Sequence, residues 1–107
     1  MTLDDSPLRI GARKFFDLLV KGSIKEAEEI IVDLNDKHGV VRDIREYLEG
    51  LQDFATAVKA GEKPAQYFGR VRMEQRSRKG PALTSGEWKA VTDLQEFYYE
   101  HRRNQAL

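Results

Sequence analysis

FFDLLVKGSIKEAEEIIVDLNDKHG, residues Phe15 to Gly39, is the stretch whose reading decides the fold. Two glycines punctuate it, Gly22 and Gly39, each placed where an apolar pattern of helical period stops. Directly after the first, Ser23 and Glu26 stand three residues apart, the capping-box spacing that satisfies two orphan N–H groups at a helix start. Ile24, Ala27, Ile30, Ile31 and Leu34 then share one face of a second helix. Upstream, Ser6 and Pro7 mark the start of a first helix, because the missing N–H of proline costs nothing at the first helical position. Its stripe is Leu8, Ala12, Phe15, Phe16 and Leu19, over about residues 7–21. A connection this short folds the two helices back on each other as an antiparallel hairpin.

Working outward, Val41, Ile44, Leu48, Leu51, Ala55 and Val58 keep the same three-four alternation over a long third helix, about residues 40–60, closed by Gly61. Gly50 sits inside it, so either another helix comes close there or the helix kinks. Pro64 opens a fourth helix that would run to about Lys79 before the Gly80-Pro81 stop. The Arg-Val-Arg-Met alternation from Arg70 and the break at Gly69 keep strand and loop open for residues 64–79. Thr84 and Glu87 make a second capping box, with Ser85 as a rival cap, and the last helix runs to about Arg103. Trp88, Val91, Leu94, Tyr98 and His101 line one side of it, with Ala90 and Phe97 beside them. The expectation is one all-α domain over residues 1–107, four to five antiparallel helices packed as hairpins. Residues 1–6 form a tail and 79–85 an irregular loop.

Composition sets the outer bounds. With 40% hydrophobic and 34% charged residues, 107 residues can build one core under a heavily solvated surface. There is no cysteine, which removes disulfides and thiolate chemistry and points to an intracellular, cytoplasmic protein. The start MTLDDSPLR lacks the order of a signal peptide, and no apolar run of about 18 residues is present to enter a membrane.

Phe15 to Gly39 resembles one helical hairpin of the tetratricopeptide and pentatricopeptide repeats, through Gly22 and the acidic-Ala pair Glu26-Ala27. Gly61 and Ala65 give a fainter echo 39 residues on. The resemblance implies stacked helix pairs and a binding role, and names no ligand. Lys37 to Leu48, KHGVVRDIREYL, resembles the turn and recognition helix of bacterial helix-turn-helix repressors. Its Arg42-to-Ile44 spacing is one residue short of that pattern, and Asp43, Glu46 and Glu49 outnumber its two arginines, a poor surface to press on phosphates.

Function is carried most plainly by charge. Lysine plus arginine and aspartate plus glutamate number 18 each, yet residues 63–80 hold six basic side chains against one acidic. Arg70, Arg72, Arg76, Arg78 and Lys79 thus form a candidate binding patch for a polyanion. Trp88 and Tyr99, with Tyr67, are candidate interface residues, since aromatics and arginine are enriched at interface centres. The expected role is a small adaptor that engages a macromolecular partner through this patch and the aromatic last helix. The alternative is a DNA- or RNA-binding protein holding phosphates with the same residues. Glu26, Glu28, Glu29, Asp33 and Asp36 crowd the second helix, so a homodimer joined through opposite charges is also in view. His38 and His101 have no ligand set spaced around them, and no base is placed to activate Ser6, Ser23, Ser77 or Ser85. Neither an enzyme nor a cofactor or metal is expected.

Overall fold

Each helix boundary has a local cause. The computed structural model describes residues 7–78 and 82–106, and its helices are α1 (Pro7–Val20), α2 (Ile24–His38), α3 (Arg42–Lys59), α4 (Pro64–Ser77) and α5 (Ser85–Ala106). Gly22 and Gly61 take φ of 88° and 96°, the left-handed region that closes a helix cheaply only at glycine. The following N–H groups of Ser23 and Glu62 reach back to the carbonyls of Leu18 and Ala57, which caps α1 and α3. At α5 the expected reciprocal cap is present. The Thr84 N–H donates to Glu87 Oε1 and the Glu87 N–H donates to Thr84 Oγ1, both at 3.2 Å.

Two sequence expectations are corrected, the Ser23–Glu26 cap and the end of the fourth helix, and the choice left open for residues 64–79 falls to helix. Ser23 and Glu26 do not form their capping box: Ser23 has ψ 64°, not the extended backbone a capping side chain needs, and makes no cap hydrogen bond. Residues 64–77 are helix, because Tyr67, Phe68 and Val71 bury one face of it. That helix ends at Ser77, ahead of the Gly80-Pro81 stop, with Arg78 in the left-handed conformation at φ 55° and its N–H on the Glu74 carbonyl. Residues 1–6, with the Ser6 cap, and 79–81 lie outside the described residues. Of the expected loop, Leu83 is tied by its N–H to Gln75 Oε1, and Ser85 already belongs to α5.

Side-chain pairings fix the directions. Gly11 of α1 faces Leu34 of α2, and Glu28 of α2 reaches Lys59 of α3, so these neighbours run antiparallel. On the other side Arg72 of α4 meets Gln95 and Phe68 meets Tyr98 of α5, again antiparallel. α5, however, returns alongside α3 and runs in the same direction. Gly86 lies over the backbone of Asp43 and Tyr47, and Gly50 lies over Ala90, further along both helices. A Cβ at Gly50 would come within 2.7 Å of the Ala90 Cβ, so Gly50 marks a close approach. α1 shares that direction, with Arg9 beside Asp93 and Arg13 beside Glu100. The odd-numbered helices therefore form a co-directional centre, and α2 and α4 are the returns.

The core sits where these helices converge. Phe54 of α3 stacks on Phe16 at 6.1 Å and on Phe68 at 5.7 Å, and takes the edge of Tyr67 at 5.1 Å. Burying each such ring contributes roughly 1.5–3 kcal/mol. α3 touches all four other helices, so Arg42 to Leu48, the helical part of the repressor-like segment, opens the central strut of the fold. Its exposed side is mostly charged, with Arg42, Asp43 and Arg45 in the first turns and Glu49, Asp53 and Lys59 further on.

Candidate functional site

Helical geometry divides the basic patch. At about 100° per residue, Arg72 and Arg76 lie on one side of α4 and Arg70 lies nearly opposite Arg72. Arg70 is fully engaged there: its Nε and Nη2 donate to the two carboxylate oxygens of Glu62, both at 2.9 Å, and its Nη1 donates to Glu74 at 3.1 Å. These bonds, those to Glu62 first, raise the Arg70 pKa above its ordinary value and hold the Glu62 carboxyl below its own. Arg70 thus belongs to a structural ion cluster and leaves the binding patch. Tyr67 leaves the candidate interface as well, because it is only 2% exposed and wedged between Phe54 and Phe68. Lys79 lies outside the described residues.

What remains assembles on one face. Arg72 Nη2 donates to Gln95 Oε1, which sets that side of α4 beside the outer side of α5. Trp88, Thr92, Gln95 and Tyr99 follow one another at four, three and four residues, so they form a single stripe along α5, about 16 Å long. Trp88 is 36% exposed and Tyr99 55%. Because α4 runs antiparallel to α5, Arg76, one turn beyond Arg72, lies toward the Trp88 end. Neither Arg76 nor Arg78 has an ion-pair partner among the described residues, and Met73 next to them is 71% exposed. Gly69 and Ala65 continue the α4 edge, and a Cβ at Gly69 would meet nothing within 4 Å. The result is an open shelf floored by small residues, bordered by arginines and two aromatics.

The acids of α5 are all turned elsewhere. Glu87 caps its own helix through Thr84, while Glu96 accepts from Arg9 at 2.7 Å and Glu100 from Arg13. Arg9 and Arg13 also lie over the Phe97 ring, at 5.2 and 4.8 Å. Asp93 is the group that sequence reasoning missed. Its carboxylate is wholly buried, with Oδ1 accepting from Arg9 at 2.6 Å and Lys89 at 2.9 Å and Oδ2 accepting from the Tyr47 hydroxyl at 2.7 Å. Burial, and next the carboxylate beside it, push the Tyr47 phenol pKa well up, so Tyr47 stays a donor. The one available signal was register: Asp93 lies three residues from Ala90 and four from Phe97, on the inward side of α5.

Other chemistry is thin. Among the described residues no group of three His, Asp or Glu side chains is placed to hold a metal ion, and no helix is long and apolar enough to cross a membrane. His38 and His101 stand on α2 and α5 with no shared ligand set. On the acidic α2, Glu28 is bound by Gln52 and Lys59 and Asp33 by Lys37, while Glu26, Glu29 and Asp36 are exposed. Comparison of the chain with protein-family models, curated proteins and solved structures gives no match.

Proposed function

We propose that this protein is a small helical binding module whose α4–α5 shelf captures an acidic surface of a protein partner. One observation carries the reading: Arg72 bonds Gln95 within the Trp88–Tyr99 stripe, Arg76 follows one turn on along the same side of α4 and Arg78 lies just past its end, while every acid of α5 is committed on other sides. Arginine supplies planar, weakly hydrated donors for carboxylates, and the aromatics supply area at small entropic cost. Encounter is steered by the arginines, and docking buries Trp88 and Tyr99. The likeness of α1 and α2 to a repeat hairpin is in keeping with such a role.

The shelf fits protein better than nucleic acid. Three arginines neutralise about three duplex phosphates, which gives a salt slope near −2.7 and weak retention at physiological salt. Affinity capture from an extract of the source cells with the wild-type chain and with the Arg72→Ser, Arg76→Ser, Arg78→Ser triple variant tests the reading. The same acidic protein should be retained by the wild type, lost by the triple variant and reduced by Trp88→Ser, with helicity unchanged. Retention by the triple variant refutes it. Salt-sensitive capture of random duplex DNA or single-stranded RNA in place of protein transfers the shelf to phosphates, and a second copy as the captured protein makes it a self-assembly surface.

A further inference from the structure

At the opposite end of α4 from Arg78, the molecule is indented. A cleft of about 450 Å³ opens where the C-terminal turns of α1, α3 and α5 meet the start of α4. That volume falls within the roughly 300–1,000 Å³ of small-molecule sites. Its apolar wall is Leu19, Phe54, Val58 and Tyr98, the same aromatic core seen from its open side. None of these offers a hydrogen bond into the space except the Tyr98 hydroxyl.

The rim has the opposite character. Lys63 from the start of α4 and Arg102 from the last turns of α5 both line the cleft, as does His101, its ring edge-on to Phe16 at 6.2 Å. The Arg102 guanidinium lies over the Tyr98 ring at 5.8 Å, which places a cation directly on the apolar wall. Neither Lys63 nor Arg102 has an ion-pair partner among the described residues. The one acid on the lining, Glu62, is already held by both of its oxygens on Arg70, so it does not neutralise them. An apolar wall lined by two cations that have no ion-pair partner among the described residues is complementary to one kind of molecule, a hydrocarbon or aryl group ending in an anion.

We infer that this cleft binds an apolar monocarboxylate, its hydrocarbon against Leu19, Phe54 and Val58 and its carboxylate between Lys63 and Arg102. The cleft is separate from the α4–α5 shelf and does not depend on how that shelf is used. Calorimetric titration of octanoate against 1-octanol, with amide chemical shifts recorded in parallel, separates the two halves of the site. Octanoate should saturate, shift the resonances of Leu19, Val58 and His101, and bind about tenfold more tightly than the alcohol, about 1.4 kcal/mol. The Lys63→Gln, Arg102→Gln pair should bring octanoate down to the affinity of the alcohol and leave the alcohol unchanged. Val58→Trp should block both ligands. Should that variant unfold at lower urea, Val20→Trp at the exposed rim tests the same occlusion without touching the core. Equal affinity for acid and alcohol, or no saturation by octanoate up to about 1 mM, overturns the inference.

Discussion

The hydroxyl of Tyr47 donates to Asp93 at 2.7 Å in a position closed to solvent, joining α3 to α5 through a charge. Arg9 adds α1 to the same carboxylate, so one side chain holds all three co-directional helices. Removing it leaves the buried Tyr47 phenol without its acceptor and takes one carboxylate contact each from Arg9 and Lys89. Asp93→Ala should cost about 3 kcal/mol, the lower end for breaking a buried pair, since Arg9 and Lys89 keep partial access to water. Tyr47→Phe should cost about 1–2 kcal/mol. Urea unfolding measures both, and an Asp93→Ala loss below about 1 kcal/mol would class the cluster with surface ion pairs.

The arginines of α4 separate by task. Arg70→Gln should leave partner capture intact and lower stability by no more than about 1 kcal/mol, because its pairs with Glu62 and Glu74 are half-exposed. Arg72→Gln together with Arg76→Gln should do the reverse, weakening capture while the urea midpoint stays put. Parallel pull-down and unfolding of the two variants decides it; loss of capture in Arg70→Gln would restore the undivided patch.

That division shows where sequence reading stops. The helices were legible because Gly22, Gly61 and Pro64 act locally, through φ and a missing N–H, and so do the Thr84–Glu87 cap and the apolar stripes. Charge along the chain was legible too, but not around it: Arg70 and Arg72 are neighbours in sequence and nearly opposite in space only once residues 64–77 are known to be helical. Asp93 reads as one more surface acid, since the residues that justify its burial come from positions 9 and 47. Pairing of α5 with α3, two elements back, is equally invisible to a rule that packs consecutive helices together. Ser23 shows the converse failure, a correct capping spacing with the wrong backbone angle.

Two helical glycines should respond to alanine with opposite signs. Gly69→Ala meets empty space and gains helix propensity, so stability should rise by about 0.5–1 kcal/mol. Gly50→Ala gains the same propensity but drives a methyl to 2.7 Å from Ala90, and the strain of forcing α3 from α5 should cost about 1–3 kcal/mol. Ala90→Gly in the same chain should return most of the steric part. Thermal unfolding of the two single variants and the double variant reads the cycle; a stabilising Gly50→Ala would mean that the α3–α5 seam has slack.

Acid should loosen the fold through its ion pairs. Glu62 and Glu100 are held below the ordinary glutamate value of 4.5, each chiefly by hydrogen bonds from an arginine, Arg70 and Arg13 respectively. A carboxyl with a depressed folded pKa contributes stability that is present above its unfolded value and is lost as the pH falls through the folded one. Asp53 works the other way, its pKa raised by burial and then by Glu87 nearby, so its ionised form opposes folding and its protonation relieves that cost. Urea midpoints taken from about pH 7 down to about pH 3 should therefore fall below about pH 4.5 in the wild type. Glu62→Gln with Glu100→Gln should flatten that fall, whereas Asp53→Asn should raise the midpoint near neutrality and steepen it. An acid limb unchanged by the glutamine pair would place the pH sensitivity elsewhere, first at Glu28, whose carboxyl is held below its ordinary value by hydrogen bonds from Gln52 and Lys59.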